Sequence, residues 1–176
     1  IEMIKMPKPR PTKNSKVHYL TYDMETQLLD FLVANKQYEA KDIVICLIDL
    51  GCRVNELLNL EKRFVDFDNN QINFNDRKND QAVAVPMTNR VKQVITHYWY
   101  GLNDLDKVFS LNYSELNAIW QKARKDLGYA DKKFYTIHLC RHTCASRLVQ
   151  RGVPILLVKD WLGHEDIENT MIYAHL

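Results

Sequence analysis

No stretch of this 176-residue sequence approaches the ~18–20 consecutive apolar residues that a membrane-spanning helix needs, which excludes a helical span. Glycine is scarce, with five residues, and none of them builds a phosphate-cradling loop. Carboxylates do not cluster either, so the usual marks of ATP- or metal-dependent chemistry are missing. An excess of one charge is also absent. The sequence has 24 Lys and Arg against 22 Asp and Glu, a net charge of +2, and gross charge makes no case for nucleic acid. The four cysteines (Cys46, Cys52, Cys140, Cys144) fall within apolar or helical stretches, which suits free thiols in a reducing cytosol better than a disulfide framework.

What is present is a 46% hydrophobic chain, long enough for one well-buried domain and short for two. Basic residues gather at the start. Lys5, Lys8, Arg10, Lys13 and Lys16 alternate with Pro7, Pro9 and Pro11, with no Asp and a single Glu. Prolines keep such a strand extended, and spaced lysines can neutralise phosphates along a duplex. A solvated linker that touches nothing would look the same. This stretch has no apolar run to serve as a signal peptide, and a first residue of Ile1 rather than Met implies a fragment of a longer protein.

Helical periodicity follows. Thr21 is an N-cap, with Asp23 and Glu25 in the first turn and Met24, Leu28, Phe31 and Leu32 on one face. A second helix spans about 39–50 and stops at Gly51, and a short third one carries Leu57 and Leu58. The period then changes. Residues 64–67, 71–74 and 82–85 read as short strands divided by turns, and Pro86 closes the last. Four helical patterns come next, at about 88–100, 114–127, 137–151 and 154–162, and a last short helix is predicted to carry Tyr173. The class is mainly α with a small antiparallel β-sheet (α+β). Trp99, Trp120 and Trp161 lie on apolar helix faces as core anchors.

Two stretches carry chemistry. With Thr136 as cap, His138 and Arg141 occupy the opening turns of a helix on one side, where free backbone N–H groups and the dipole also favour an anion. A surface ion-pair network would use the same residues, and spacing does not choose between His138 and His142. In the second stretch, Gly163 ends a helix and sets His164 at its exit, with Tyr173 nine residues later.

Taken together, these pieces resemble the catalytic domain of the tyrosine recombinase (phage integrase) family. The matching residues are Gly51-x-Arg53-x-x-Glu56-Leu57, Lys78 ahead of Val85-Pro86, His138-x-x-Arg141, Leu162-Gly163-His164 and Tyr173, in order and at family spacing across about 19–176. The resemblance implies Arg53, Lys78, His138, Arg141 and His164 as catalytic residues and Tyr173 as nucleophile. Spacing to Val85-Pro86 selects Lys78 over Arg77, which is expected to contact DNA with the basic residues of the N-terminal stretch. Residues 1–18 are then a linker from an absent N-terminal DNA-binding domain.

The implied reaction breaks and rejoins double-stranded DNA through a 3′-phosphotyrosyl intermediate with no cofactor. It would serve phage or mobile-element integration and excision in a bacterial cytoplasm. Self-assembly as a tetramer on paired sites is expected, with the isolated fragment monomeric and no membrane partner. Type IB topoisomerases share the chemistry, but the compact layout and the His138-x-x-Arg141 box favour a recombinase.

The residues suit that chemistry. Two arginines can clamp the charge that grows on non-bridging oxygens. A lysine on a hairpin tip can protonate the departing 5′-oxygen. A phenol of pKa ~10 needs a histidine to take its proton or stabilise its oxyanion. Departures exist. Cys140 stands where the family has Leu, and only three residues follow Tyr173, where members continue into a tail that docks on a neighbouring subunit. The set His138, Cys140, His142, Cys144 resembles zinc ligands, but alternate helical residues point ~200° apart and cannot converge on one metal. Both cysteines read as small packing residues.

Overall fold

The structure is a computed structural model that describes residues 16–75 and 82–176. Thr21 caps α1 (Tyr22–Ala34) as expected, its side chain accepting from the Met24 N–H at 3.1 Å. Helix α2 (Tyr38–Leu50) is the central post, burying Ala40, Ile43, Val44, Cys46, Leu47, Ile48 and Leu50. It packs on α1, on α4 (Asn89–Trp99) and on α6 (Leu139–Gln150). Its end is fixed twice over at Gly51. The residue adopts φ +66°, and a Cβ there would lie 2.7 Å from Cys144 Sγ.

After α3 (Val54–Leu58), residues Lys62–Phe64 form a 3-10 turn, so the first strand is only Val65–Asp66 (β1) rather than the predicted 64–67. The turn closes with Phe64 N–H on the Glu61 carbonyl at 3.1 Å, which withdraws Phe64 from strand pairing. Strands β2 (Gln71–Asn75) and β3 (Ala82–Pro86) complete an antiparallel sheet in the order β1-β2-β3. Ile72 sits opposite both Val65 and Val85, and all three are buried.

The remaining elements are α5 (Tyr113–Asp126), α7 (Ile155–Leu162) and α8 (Glu168–Met171). An Asn112/Glu115 capping box opens α5. Trp120 is buried as predicted and donates to the Tyr135 carbonyl at 3.1 Å. Trp99 and Trp161 are only partly buried. Glu25, 5% exposed, pairs at 2.7 Å with both Arg90 and Arg147, and Arg90 also pairs with Asp49, which ties α1, α2, α4 and α6 together. A separate small cluster of Ala145, Val158, Leu162 and Tyr173 closes the C-terminal side. Among the described residues, no helix is long and apolar enough to cross a membrane.

Candidate active site

Helix α6 begins at Leu139, with His138 at its N-cap. Thr136 takes part through its carbonyl, which accepts the Leu139 N–H at 2.9 Å, and not through the predicted side-chain cap. One turn on, Arg141 is 5% exposed. Its Nη1 donates to the Gly51 carbonyl and its Nη2 to the Leu162 carbonyl, both at 2.7 Å. These carbonyls end α2 and α7, so the guanidinium sits at the negative poles of two helices. Burial and the nearby charge of Arg53 both work against its own protonated state.

Tyr173 is not on a helix. It follows α8 in a turn, its N–H on the Thr170 carbonyl at 3.0 Å, because i+3 bonds wind the chain too tightly to continue an α-helix. Its ring is 2% exposed, and its hydroxyl is hydrogen-bonded to Nδ1 of His142. Burial pushes the phenol up to about 12, with the charge of Arg141 pulling the other way. His142 is held down at about 4, by burial first and then by His138, Arg141 and His18. His138 meets the His142 ring edge-on, with centroids 4.8 Å apart, and burial lowers its pKa too.

Gly163 ends α7 at φ +66°, and His164 leaves that exit as predicted. His164 Nδ1 is hydrogen-bonded to the buried Thr170 hydroxyl at 2.8 Å, so the same turn that carries Tyr173 also orients this histidine. Burial, followed by Arg141 and Arg53, sets His164 at about 4. Arg53 stands at the N-cap of α3 and pairs with Glu56 at 3.0 Å, its side chain 52% exposed. Arg53, His164 and Asn73 line one open cleft of about 690 Å³. Lys16 is exposed. Lys78, Arg77, Lys5, Lys8, Arg10 and Lys13 lie outside the described residues.

The fold therefore gathers Arg53, His138, Arg141, His164 and Tyr173 from α3, α6, α7 and the final turn. It adds His142, which the motif reading passed over for His138. The available signal was the four-residue spacing of the two histidines, which puts both on one helix face. Cys140 and Cys144 are buried, as packing residues should be. Among the described residues, no three His, Cys, Asp or Glu side chains are grouped to hold a metal.

A buried tyrosine bonded to a histidine within the field of an arginine, on a mainly helical frame with a three-stranded sheet, matches the tyrosine recombinase catalytic-domain fold. The chain belongs to the Phage integrase family, whose profile matches residues 18–176. It is 34% identical over 152 residues to the tyrosine recombinase XerA of Saccharolobus solfataricus, covering 86% of this chain and 51% of that protein. It is 28% identical over an alignment of 192 residues to the integrase of Salmonella phage P22, covering 99% and 47%. The chain thus spans about half the length of these curated relatives. The crystal structure of XerA recombinase superposes with a TM-score of 0.73 at 26% identity, covering 97% of this chain and 62% of the other. The catalytic domain of bacteriophage HP1 integrase gives 0.67 at 25% identity, covering 91% and 88%.

Proposed function

We propose that this domain cuts and rejoins double-stranded DNA as part of a site-specific recombinase, with Tyr173 as its nucleophile. The observation that carries this reading is the Tyr173 hydroxyl bonded to His142, within the field of Arg141. The phenol oxygen attacks phosphorus, the bond to the 5′-oxygen breaks, and the DNA 3′-phosphate stays on Tyr173. The phenolic proton passes to neutral His142, and the departing 5′-oxygen takes a proton from Lys78. Arg53, with remaining N–H groups of Arg141, neutralises the non-bridging oxygens, while His138 and His164 donate to them. Attack by a 5′-hydroxyl reverses every step, so the linkage keeps the bond energy without a cofactor.

Residues 1–18 are a linker from an N-terminal DNA-binding domain, in which Lys5, Lys8, Arg10, Lys13 and exposed Lys16 follow the duplex while Val17 and His18 lie against this domain, and Arg77 contacts the DNA near Lys78. Recombination needs two sites, so the full protein works as a tetramer on paired DNA in the cytoplasm. The test uses nicked suicide duplexes drawn from a randomised library and a denaturing gel. Wild type should yield a covalent protein–DNA band. Tyr173→Phe should yield none while keeping DNA affinity within about twofold, because only the attacking oxygen is lost. A band that persists in the variant would falsify the assignment.

A further inference from the structure

The residues ahead of α1 reach the surroundings of Tyr173. Leu20 N–H donates to Thr143 Oγ1 at 2.9 Å, and Gln150 Nε2 donates to the Tyr19 hydroxyl at 3.1 Å, which lays this segment along α6. Thr143 is fully buried and donates in turn to the Leu139 carbonyl at 2.7 Å, so the attachment point is rigid. At the front of the segment, Val17 packs against the cluster of Ala145, Val158, Leu162 and Tyr173. The His18 ring stacks on Phe134, with centroids 4.1 Å apart and planes 4° from parallel. Val17 and His18 share the lining of a cleft of about 280 Å³ with His142 and Ile172. The segment therefore packs on the cluster that contains Tyr173 and shares a cleft with His142.

We propose that residues 16–20 are a strap that positions this pair, with Val17 and His18 as positioning residues; the proposal rests on the reading of Tyr173 as nucleophile. The need for a strap follows from local structure. Helix α8 has four residues, too few to be stable alone, and the backbone around Tyr173 is held by i+3 bonds: Tyr173 to Thr170 at 3.0 Å and Leu176 to Tyr173 at 3.1 Å. Tertiary packing must fix the phenol, and Val17 supplies part of it. The stacked His18 keeps Val17 in place. Misplacement of a reacting group by about 1 Å can cost on the order of 10²-fold in rate, so a small loosening here reaches the chemistry.

Two measurements test this on the full chain. On nicked suicide duplexes, Val17→Ala and His18→Ala should form adduct about tenfold more slowly at unchanged DNA affinity. His18→Phe, which keeps the stack, should recover most of the rate. Without DNA, nitration of Tyr173 by tetranitromethane, followed by peptide mass spectrometry, should speed up about tenfold in the two alanine variants and stay near wild type in His18→Phe. His18 is exposed, so its variants fold even if Val17→Ala does not. Unchanged nitration in His18→Ala overturns the proposal, and faster adduct formation makes the segment a restraint instead of a positioner. A wild type that nitrates as expected but forms no adduct counts against the proposed function and leaves the strap standing.

Discussion

Substitutions at Arg141 and Arg53 should separate holding the fold together from holding a phosphate. Arg141 is buried and donates to two helix-terminal carbonyls at 2.7 Å. A hydrogen bond to a charged group contributes about 1.5–3 kcal/mol. A lysine ammonium can reach one of those carbonyls at best, so Arg141→Lys should lose about 2 kcal/mol. Arg141→Ala loses both bonds and leaves a void, for about 3–5 kcal/mol. In a domain of this size each kcal/mol moves the melting midpoint by about 2–4 °C, which predicts about 4–8 °C for Lys and about 6–20 °C for Ala. Arg53 provides the contrast. Its ion pair with Glu56 is largely exposed, so Arg53→Ala should cost under about 1 kcal/mol while abolishing DNA cleavage. Thermal and urea unfolding of the three variants decide the matter. An Arg141→Ala domain that melts within a degree or two of wild type would refute the reasoning, as would an Arg53→Ala domain that is equally destabilised.

Lys78→Ala should cleave ordinary DNA about 10²–10⁴-fold more slowly, yet recover on a duplex whose 5′-bridging oxygen is sulfur, a leaving group that needs no proton. Equal loss on both substrates would make Lys78 a DNA-positioning residue, and rescue in Arg77→Ala instead would move the acid by one position. Stability should also fall with pH below about 6.5. His142 and His164 are held at about 4, below the ordinary value, so the unfolded chain binds more protons between those limits and acid favours it. Discounted for partial exposure, the two together are worth about 2–3 kcal/mol by pH 4, and His142→Gln should remove about half of the slope. Urea midpoints that stay level from pH 7 to 4.5 would contradict this.

Local signals in the sequence carried the helices well. Thr21 is a side-chain N-cap, as read, and Gly51 and Gly163 end helices at positive φ. The motif residues Arg53, His138, Arg141, His164 and Tyr173 came from order and spacing, and the fold does gather them. What spacing could not supply is which side chains meet across elements. His138 and His142 are equivalent by helical period, and the bond from His142 to Tyr173 spans 31 positions, set by how the final turn folds back on α6. Arg141 read as a phosphate clamp, and its anchoring to Gly51 and Leu162 depends on α2 and α7 ending at one place. Periodicity predicts a helix at Tyr173 because it does not distinguish a last α turn from a succession of i+3 bonds.

The paired Tyr173 and His142 also bear on when the proposed nucleophile is live. Burial raises the phenol to about 12 and lowers the imidazole to about 4, so both members are neutral at rest and moving the proton between them is uphill. A standing tyrosinate beside an imidazolium is therefore negligible without DNA. As the phosphorus–oxygen bond forms, negative charge leaves the phenol for the phosphate oxygens, where the arginines can meet it, and the phenolic proton becomes acidic enough for His142 to accept. Proton transfer must then accompany attack instead of preceding it. The burial that makes Tyr173 a poor nucleophile in the resting domain is, on this reading, what confines its reactivity to a correctly seated phosphate.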